Sequence, residues 1–335
     1  MKVLAFYNGE KVLYSRGRLL VNGKTIDLQI PLWKRIISNF RIFERLLRLD
    51  PRCANICDDI LITSYQKKIF VIDLIAYNVI GSFPIRDEFS NVLNICHFSK
   101  IFYWGDYGAN KEHKEVNVYS YTKENGVSVV YTFPSNTIRH IHNIIYDKSI
   151  NKFWILTGDN ENEAGIYISD IKWKEVLPIK IGKTMFRAVV GFPYKDGLLY
   201  ATDSVESDNF IYYLSLIDYS NTKLFPINGS CIYGGENKNC FYFSTTVEPH
   251  EGIGIKNLLF EKLGNGIKSR NVHLIEFNKK NGQISIIGTY RKDFYPMKLF
   301  QYGTIQIPIG QENLESLFGN IISCKNHDGK FVRLK

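Results

Sequence analysis

The sequence predicts an all-β protein built from repeated four-stranded units. Apolar, β-branched segments alternate with short turns rich in Gly, Asn, Asp and Lys over most of the 335 residues. One strand–turn–strand pattern recurs about every 45 residues, close to the length of one propeller blade. Its clearest copies begin near 141, 188 and 231, and each ends in small or acidic residues. We therefore expect a six- or seven-bladed β-propeller with one amphipathic helix near the N-terminus, in a single domain over 1–335.

The N-terminal region combines short strands with the predicted helix. Glycines punctuate several apolar segments within residues 2–30, which indicates short strands joined by turns. Pro31 then begins a helix over about 32–49, where apolar residues recur at helical spacing and basic residues occupy the remaining surface. Pro51 ends it. We expect the apolar stripe to pack on the propeller. The alternatives are contact with an anionic membrane surface or with a partner protein.

From residue 59 onward the sequence reads as strands and turns. We place the inner hairpins of the blades near 60–74, 94–107, 143–159, 189–203, 231–246 and 299–308. An outer hairpin is predicted over 272–290. Long loops follow one position of the repeat, at 105–115, 158–165 and 247–271, and the last contains a predicted short helix at 255–263. Long loops in compact domains are usually functional or disordered, and their shared position favours function.

Composition narrows the choice of partners and compartment. The formal net charge of +9 fits either a generic basic surface or an anionic partner such as an acidic glycan, a sugar nucleotide or a lipid surface. No basic run or nucleic-acid motif occurs, so we expect no nucleic acid. The six cysteines form no Cys-x-x-Cys pair, which argues against zinc. Without a signal peptide or a long apolar run, the chain is expected to be cytoplasmic, with the helix 32–49 as a possible contact to the inner membrane face.

Polar residues at strand ends provide the candidate site. In a propeller, the start of a blade's first strand and the end of its second lie on the same face, around the mouth of the channel. Titratable groups that converge on a concave surface usually mark an active or binding site. The predicted catalytic residues are Asp106, Tyr107, His140, His142, Asp159, Asp203 and Glu248. The predicted substrate-binding residues are Arg139, Arg187, Trp104, Glu163 and His250.

The spacing of the two histidines leaves three roles open. His140 and His142 are expected to point the same way, because alternate residues of a strand share a face. They suit an acid–base pair, a divalent metal site or two structural residues facing a wet channel. We expect no cofactor, with a divalent metal at this pair as the minor alternative. Arg139 and Arg187 suit recognition of a carboxylate or phosphate, or pairing with the acidic residues of the mouth.

The stretch from Tyr131 to Asp159 resembles the sialidase-type (BNR/Asp-box) β-propellers. Its most specific parts are Arg139-His140-Ile141-His142 and Thr157-Gly158-Asp159, which are similar to an uncharacterised bacterial branch of that family. The similarity spans roughly 58–250 and implies a propeller that acts on carbohydrate, with a role in bacterial polysaccharide metabolism. The Asp-box turn is degraded, with Ile168-Ser169-Asp170-Ile171-Lys172-Trp173 as its best remnant. An arginine triad of the sialidase kind would use Arg139 and Arg187, with Arg18 or Arg291 as the third.

Three functions fit these residues. The first is a glycosidase, sialidase-like or otherwise glycan-modifying, which needs two carboxylates beside the scissile bond. The second is a polysaccharide lyase that uses His, Tyr and Arg. The third is a non-catalytic propeller that binds a glycan or a protein, since the fold does not determine the function. A close pair of carboxylates favours the first, a Tyr–His–Arg cluster favours the second, and an aromatic surface without either favours the third. Oligomeric state is left open by the sequence.

Overall fold

The computed structural model describes residues 1–250 and 261–335, and within them the chain forms seven antiparallel sheets. The first six sheets have four strands each and the last has three. Strands that follow one another in the chain are hydrogen-bonded neighbours within every sheet. This is the architecture of a seven-bladed β-propeller, which confirms the predicted fold class and settles the blade number at the higher of the two expected values.

The first four sheets take the chain to residue 181. Sheet one is β1 (Lys2–Tyr7), β2 (Glu10–Ser15), β3 (Arg18–Val21) and β4 (Lys24–Asp27). Sheet two is β5 (Cys53–Cys57), β6 (Ile60–Tyr65), β7 (Lys68–Asp73) and β8 (Asn78–Pro84). Sheet three is β9 (Cys96–Phe98), β10 (Ile101–Gly105), β11 (Val116–Thr122) and β12 (Gly126–Phe133). Sheet four is β13 (His140–Asp147), β14 (Lys152–Gly158), β15 (Gly165–Asp170) and β16 (Val176–Ile181).

The last three sheets and the short helices complete the chain. Sheet five is β17 (Ala188–Tyr194), β18 (Gly197–Thr202), β19 (Asn209–Ser215) and β20 (Asn221–Ile227). Sheet six is β21 (Cys231–Glu236), β22 (Cys240–Thr245), β23 (Asn271–Asn278) and β24 (Ile284–Arg291). Sheet seven is β25 (Thr304–Gln306), β26 (Phe318–Ile322) and β27 (Lys330–Arg333). The helices are α1 (Leu32–Ile37), α2 (Arg41–Leu46) and α3 (Met297–Phe300), and 3₁₀ turns cover Glu161–Glu163 and Thr184–Phe186.

The chain divides into two compact units. Unit one comprises Met1–Asp50, Ala201–Tyr212 and Lys223–Lys335, and unit two comprises Pro51–Tyr200 and Tyr213–Thr222. Each unit has an apolar core of its own. In unit two, Tyr103, Phe153 and Trp173 are buried together, with the rings of Phe153 and Trp173 stacked at 5.0 Å. In unit one, buried Tyr242 and Leu317 lie in one cluster. Aromatic side chains therefore fill the spaces that pleated sheets leave between them.

The predicted helix over 32–49 is wrong, because the structure has two six-residue helices in its place. At the break, two side chains compete with the backbone N–H groups for the helix carbonyls. Ser38 Oγ donates to the Lys34 carbonyl at 2.6 Å, and Asn39 Nδ2 donates to the Ile36 carbonyl at 2.8 Å. Phe40 is extended, with φ −103° and ψ 111°. Every side chain of α1 is exposed or half-buried, and α2 buries only Arg45. The expectation that the apolar stripe packs on the propeller is therefore also wrong.

Two predicted inner hairpins have a different place in their sheets. The segments within 60–74 form β6 and β7, the second and third strands, because β5 precedes them. The sequence missed β5 since its polar Asn55 breaks the apolar pattern; that side chain instead donates to the Ile95 carbonyl at 2.7 Å. The hairpin over 299–308 is replaced by α3 and β25, and β25 pairs with β26. The outer hairpin over 272–290 is confirmed as β23 and β24.

Three further expectations concern the loops, cysteines and membrane. Most of the predicted helix at 255–263, in the loop 247–271, lies outside the described residues. All six cysteines are free thiols. Across residues 1–250 and 261–335, no helix has the length and apolar character required to cross a bilayer.

Candidate functional site

A β-bulge presents the two predicted histidines of sheet four. In the pairing of β13 with β14, His140 lies opposite Gly158, Ile141 opposite Thr157 and Asn143 opposite Leu156, so His142 is the extra residue. The register shifts similarly near the start of β1 and β21, at Leu4 and Ile232. Bulges re-aim side chains and occur often next to active sites. Sheet four thus carries a histidine where two other sheets carry an aliphatic residue.

Both imidazoles are buried and held by backbone carbonyls. His140 and His142 are each 2% exposed. His140 Nδ1 lies 2.6 Å from the Gly108 carbonyl oxygen, and His142 Nδ1 lies 2.8 Å from the Ala188 carbonyl oxygen. A carbonyl only accepts hydrogen bonds, so each Nδ1 carries the proton and each Nε2 is directed inward. The two Nε2 atoms are 2.9 Å apart.

Asp159 completes a triangle with the two histidines. Its Oδ1 lies 3.2 Å from His142 Nε2 and 3.4 Å from His140 Nε2. Arg187 holds the same residue, with Nη2 3.2 Å from Oδ1 and Nη1 donating to the Asp159 carbonyl at 3.1 Å. Burial alone would raise the pKa of Asp159, but the Arg187 guanidinium beside it acts in the opposite direction, and the pKa lies below its ordinary value. Asp159 is therefore an ionised carboxylate, and its side chain is 31% exposed.

Tyr107 and Arg52 lie beside the histidines. The Tyr107 ring centroid is 4.6 Å from that of His140 and 6.1 Å from that of His142. The Arg52 guanidinium lies over the Tyr107 ring, 4.6 Å from its centroid. This is a favourable cation–π distance. Tyr107 is half-buried whereas both imidazoles are buried, so Tyr107 is the most accessible of the three rings.

Gly158 leaves the room that His142 needs. A Cβ atom at this position would lie 2.2 Å from His142 Cε1, far inside van der Waals contact. Only glycine therefore permits the imidazole to lie against β14. The Thr-Gly-Asp ending of this strand was noticed in the sequence, but its glycine was given no role. Arg52 and the carbonyls of Gly108 and Ala188 were missed as well, because a carbonyl contact leaves no sequence signal.

Asp106 is directed away from the histidine pair. Its Oδ2 accepts the Asn117 backbone N–H at 2.9 Å, Tyr119 Oη donates to Oδ1 at 3.2 Å, and Arg86 Nη2 lies 3.4 Å from Oδ2. Burial raises the pKa of Asp106 to about 6, although these partners act in the opposite direction. Its backbone carbonyl accepts the Ile141 N–H and so joins sheets three and four.

Three predicted binding residues of unit two have structural contacts. Arg139 donates from Nε to the Ala109 carbonyl at 2.8 Å. Glu163 is buried and joins the loops 105–115 and 158–165, with Oε1 2.5 Å from His113 Nδ1. Trp104 is 4% exposed and stacks on Tyr119 with ring centroids 5.9 Å apart. Their substrate contacts stay predictions, and the burial of Trp104 and Glu163 does not favour them.

The remaining predicted residues belong to unit one. Asp203 and Glu248 are buried, at 5% and 6% exposure. Thr246 Oγ1 donates to Glu248 Oε1 at 2.5 Å. His250 is exposed and pairs through Nδ1 with Glu206 at 2.9 Å. Catalytic or binding roles for these three stay predictions. Within unit two, the structure brings together Tyr107, His140, His142, Asp159 and Arg187 from the predicted set.

Comparison with known proteins supports the fold and nothing finer. No protein-family model matches the chain, and no curated protein matches it. Among solved structures it is similar to Kuenenia stuttgartiensis hydrazine synthase, with a TM-score of 0.53, 11% identity, and coverage of 78% of this chain and 70% of that one. It also aligns with the tricorn protease at a TM-score of 0.48 and 10% identity, over 85% of this chain and 26% of that one, a likeness too weak to carry an argument.

The similarity to the hydrazine synthase structure, together with the seven sheets, confirms the propeller that the sialidase-type resemblance implied. Identity of 11% to a solved structure shows the fold alone. The narrower relation to sialidase-type propellers, and with it the link to glycans, has no matching family model behind it.

Proposed function

We propose that the chain acts on an acidic carbohydrate at the site formed by Tyr107, His140, His142, Asp159 and Arg187, through a lyase-type elimination. The observation that carries this proposal is the convergence of two imidazoles and a guanidinium on one carboxylate, with the Tyr107 ring beside the imidazoles. This is the Tyr–His–Arg cluster expected of a lyase. The net charge of +9 also favours an anionic substrate.

Elimination from a sugar acid requires two contributions from the protein, a positive group and a base. A positive group must neutralise the sugar carboxylate, which acidifies the neighbouring C–H bond. A base must then take that proton. The electron pair forms a carbon–carbon double bond, and the glycosidic oxygen departs and takes a proton from water. Arg187 makes the first contribution, since its guanidinium already lies 3.2 Å from a carboxylate oxygen, Asp159 Oδ1. Tyr107, in its phenolate form, is the proton acceptor in this proposal and becomes a phenol, because its half-buried ring lies beside His140.

Glycosidase-type hydrolysis, including a sialidase-like reaction, is the second candidate. It is favoured by the opposite pKa shifts of Asp106, raised to about 6, and Asp159, lowered, since a protonated acid and an ionised carboxylate are the pair that hydrolysis uses. The contacts of Asp106 favour the lyase instead. Both of its oxygens face Asn117, Tyr119 and Arg86, and its side chain is 2% exposed.

The two reactions leave different products, so one assay tests both. The chain is incubated with polysaccharides and oligosaccharides that contain uronic or sialic acids, and products are analysed by ultraviolet absorbance and mass spectrometry. A lyase gives an unsaturated sugar, whereas a hydrolase adds water. On the responding substrate we expect Tyr107→Phe to lower kcat about 100-fold or more.

Tyr146→Phe is the matched control, because the Tyr146 hydroxyl bonds Asn151 at 2.9 Å and has no contact with the histidines. A saturated product that has gained water would contradict the lyase proposal and support the hydrolase. Unchanged turnover in Tyr107→Phe would remove Tyr107 from the mechanism. Binding of an acidic glycan without any product would make the chain a binding propeller.

A further inference from the structure

His140 Nε2, His142 Nε2 and Asp159 Oδ1 form a triangle with sides of 2.9, 3.2 and 3.4 Å. Each atom offers a lone pair. Both imidazoles use their Nδ1 protons on backbone carbonyls, so the two Nε2 lone pairs face each other and the carboxylate. Such an arrangement is repulsive unless a positive charge lies among the three atoms.

A metal ion satisfies all three atoms, whereas a single proton does not. A proton on one Nε2 points at only one partner, either the other imidazole or Asp159. Ligands about 2.1 Å from a metal are separated by about 3.0 Å in octahedral and about 3.4 Å in tetrahedral geometry. Two observed sides, 3.2 and 3.4 Å, lie in this interval, and the third, 2.9 Å, lies just below its octahedral end.

The surroundings of the triangle are those of metal-binding histidines. Histidines that bind metals almost always donate their other ring nitrogen to a carbonyl or carboxylate, which fixes the tautomer and orients the ring. Both histidines do so here, to Gly108 and Ala188. Gly158 provides the space for the His142 ring, and Arg187 orients the Asp159 carboxylate.

We propose that His140, His142 and Asp159 bind one divalent first-row transition metal ion. Two imidazoles and one carboxylate suit ions from Mn²⁺ to Zn²⁺, whereas Mg²⁺ and Ca²⁺ prefer all-oxygen ligand sets. Three protein ligands leave coordination positions for a substrate group. The role of the ion in the reaction rests on the proposed function: it would be the positive centre that receives the sugar carboxylate, beside Arg187.

The test measures metal binding directly and turnover separately. The purified 335-residue chain is stripped with a chelator, and Mn²⁺, Co²⁺, Ni²⁺ and Zn²⁺ are titrated by calorimetry, with elemental analysis of the loaded protein. We expect one ion per chain and affinity weakened at least tenfold by Asp159→Asn, which keeps the shape of the side chain. His97→Gln is the control, because this histidine bonds Asn55 outside the site. Circular dichroism shows whether each variant is folded.

Each outcome decides one of the two proposals. Binding below one ion per chain, or equal affinity in the wild type and Asp159→Asn, overturns the metal site. A folded, metal-stripped chain that still eliminates at the full rate overturns the role of the ion in the reaction and keeps the proposed function. Stoichiometric binding lost in Asp159→Asn, together with no turnover of any acidic carbohydrate, keeps the metal site and overturns the proposed function.

A second and independent observation concerns the helix pair α1–α2 in unit one. Its large apolar side chains face solvent: Leu32 is 71% exposed, Trp33 53% and Phe40 59%. Polar contacts hold the pair in place instead, through the ion pairs of Arg41 with Asp328 and of Arg45 with Asp293. The usual distribution of side chains on a surface helix is therefore inverted.

A groove with a basic rim adjoins α1. It has a volume of about 450 Å³, and its apolar lining includes Leu19, Leu20 and Ile36. Arg16, Arg18 and Arg35 also line it, and they outnumber the Asp27 carboxylate that lies near Arg18 and pairs with Arg35. Apolar side chains flanked by cations match the boundary between lipid headgroups and acyl chains. With the net charge of +9, this complementarity favours a lipid surface over a protein. We propose that α1–α2 docks on an anionic lipid surface.

Trp33 reports this contact, because the other tryptophans, Trp104, Trp154 and Trp173, are 4%, 0% and 4% exposed. Vesicles of phosphatidylcholine, with or without phosphatidylglycerol, are titrated into the chain. We expect a blue shift and cosedimentation with the anionic vesicles only, weakened by salt, and at least tenfold weaker binding for the double variant Leu32→Ser, Phe40→Ser.

Ile217→Ser is the matched control, since Ile217 is 79% exposed and lies outside the helices. Equal binding of the double variant, or no response to anionic vesicles, overturns the proposal. A blue shift that follows protein concentration without vesicles would assign this surface to a second copy of the chain instead.

Discussion

Sheet four and the helix pair α1–α2 both bury charged or titratable side chains, but they use the polar atoms differently. Arg45 in α2 directs its donors to the Phe300 carbonyl and to the carboxylates of Asp293 and Asp328. His140 and His142 in sheet four satisfy only their outer nitrogens and direct two lone pairs at each other. A buried polar group whose bonds are complete is explained by the fold, whereas converging lone pairs point to a ligand.

The largest expected effect tests whether the contacts of Arg45 hold the helix pair α1–α2 in place. Arg45→Ala should lower the free energy of unfolding by about 3–5 kcal/mol, because it leaves the buried Asp293 carboxylate and the Phe300 carbonyl without this partner. Urea denaturation measures the change. Arg48→Ala, at an exposed position in the next turn, should change it by less than about 0.5 kcal/mol. Equal stability of the two variants would show that the Arg45 network does not hold the helices.

The variant Gly158→Ala tests whether the proposed metal site in sheet four needs the space beside His142. The new methyl group would meet His142 Cε1 at 2.2 Å, so the ring must move. We expect a loss of about 1–3 kcal/mol in the free energy of unfolding, from overpacking, and loss of metal binding. Gly126→Ala is the control, since its added Cβ meets nothing within 4 Å. Its φ of +68° is strained for alanine, but metal binding should persist. Retained metal binding in Gly158→Ala would contradict the account.

Asp106 predicts a pH dependence of stability. Burial raises the pKa of Asp106 from 3.8 to about 6 in the folded chain, so folding disfavours its ionised form. The free energy of unfolding is therefore highest below the unfolded-state pKa of 3.8 and falls as the pH rises through about 6. The contribution is about 3 kcal/mol at most, at 1.36 kcal/mol per pKa unit. Asp106→Asn should flatten the profile between about pH 4 and pH 7 by roughly 2 kcal/mol in chemical denaturation. Superimposable wild-type and variant profiles would show that Asp106 does not titrate in this range.

The smallest expected effect concerns the exposed apolar residues. Phe43 in α2 is 45% exposed, so Phe43→Ser should change the free energy of unfolding by less than about 0.5 kcal/mol. The same urea denaturation measures it beside Arg45→Ala. A loss above about 2 kcal/mol would mean that this face is covered within the folded chain, which would contradict the inverted distribution of side chains.

The comparison also explains which sequence predictions succeeded. The propeller was predictable because strand period and repeat length are local patterns, and the His-x-His segment and the Thr-Gly-Asp ending fall in two adjacent strands. Tyr107 and Arg187 come from neighbouring loops, and the repeat placed them correctly beside the histidines. The single helix predicted over 32–49 was wrong. Apolar periodicity does not show that Ser38 and Asn39 interrupt the helix, nor that Arg45 is the residue that α2 buries.

The site itself required three-dimensional contacts. Asp106 lies one residue before Tyr107, yet its carboxylate points to Asn117 and Tyr119, which the strand pattern could not distinguish. The carbonyls of Gly108 and Ala188, which fix both tautomers, belong to no recognisable motif. Sequence therefore indicated the residues that meet, but not the direction of their lone pairs.

The most direct test of the central claim is anomalous diffraction from crystals of the chain loaded with Mn²⁺ or Zn²⁺. The account predicts one anomalous peak within bonding distance, about 2.1 Å, of His140 Nε2, His142 Nε2 and an Asp159 oxygen. Crystals grown at the saturating metal concentration that show the three side chains in contact, with no peak between them, would contradict it.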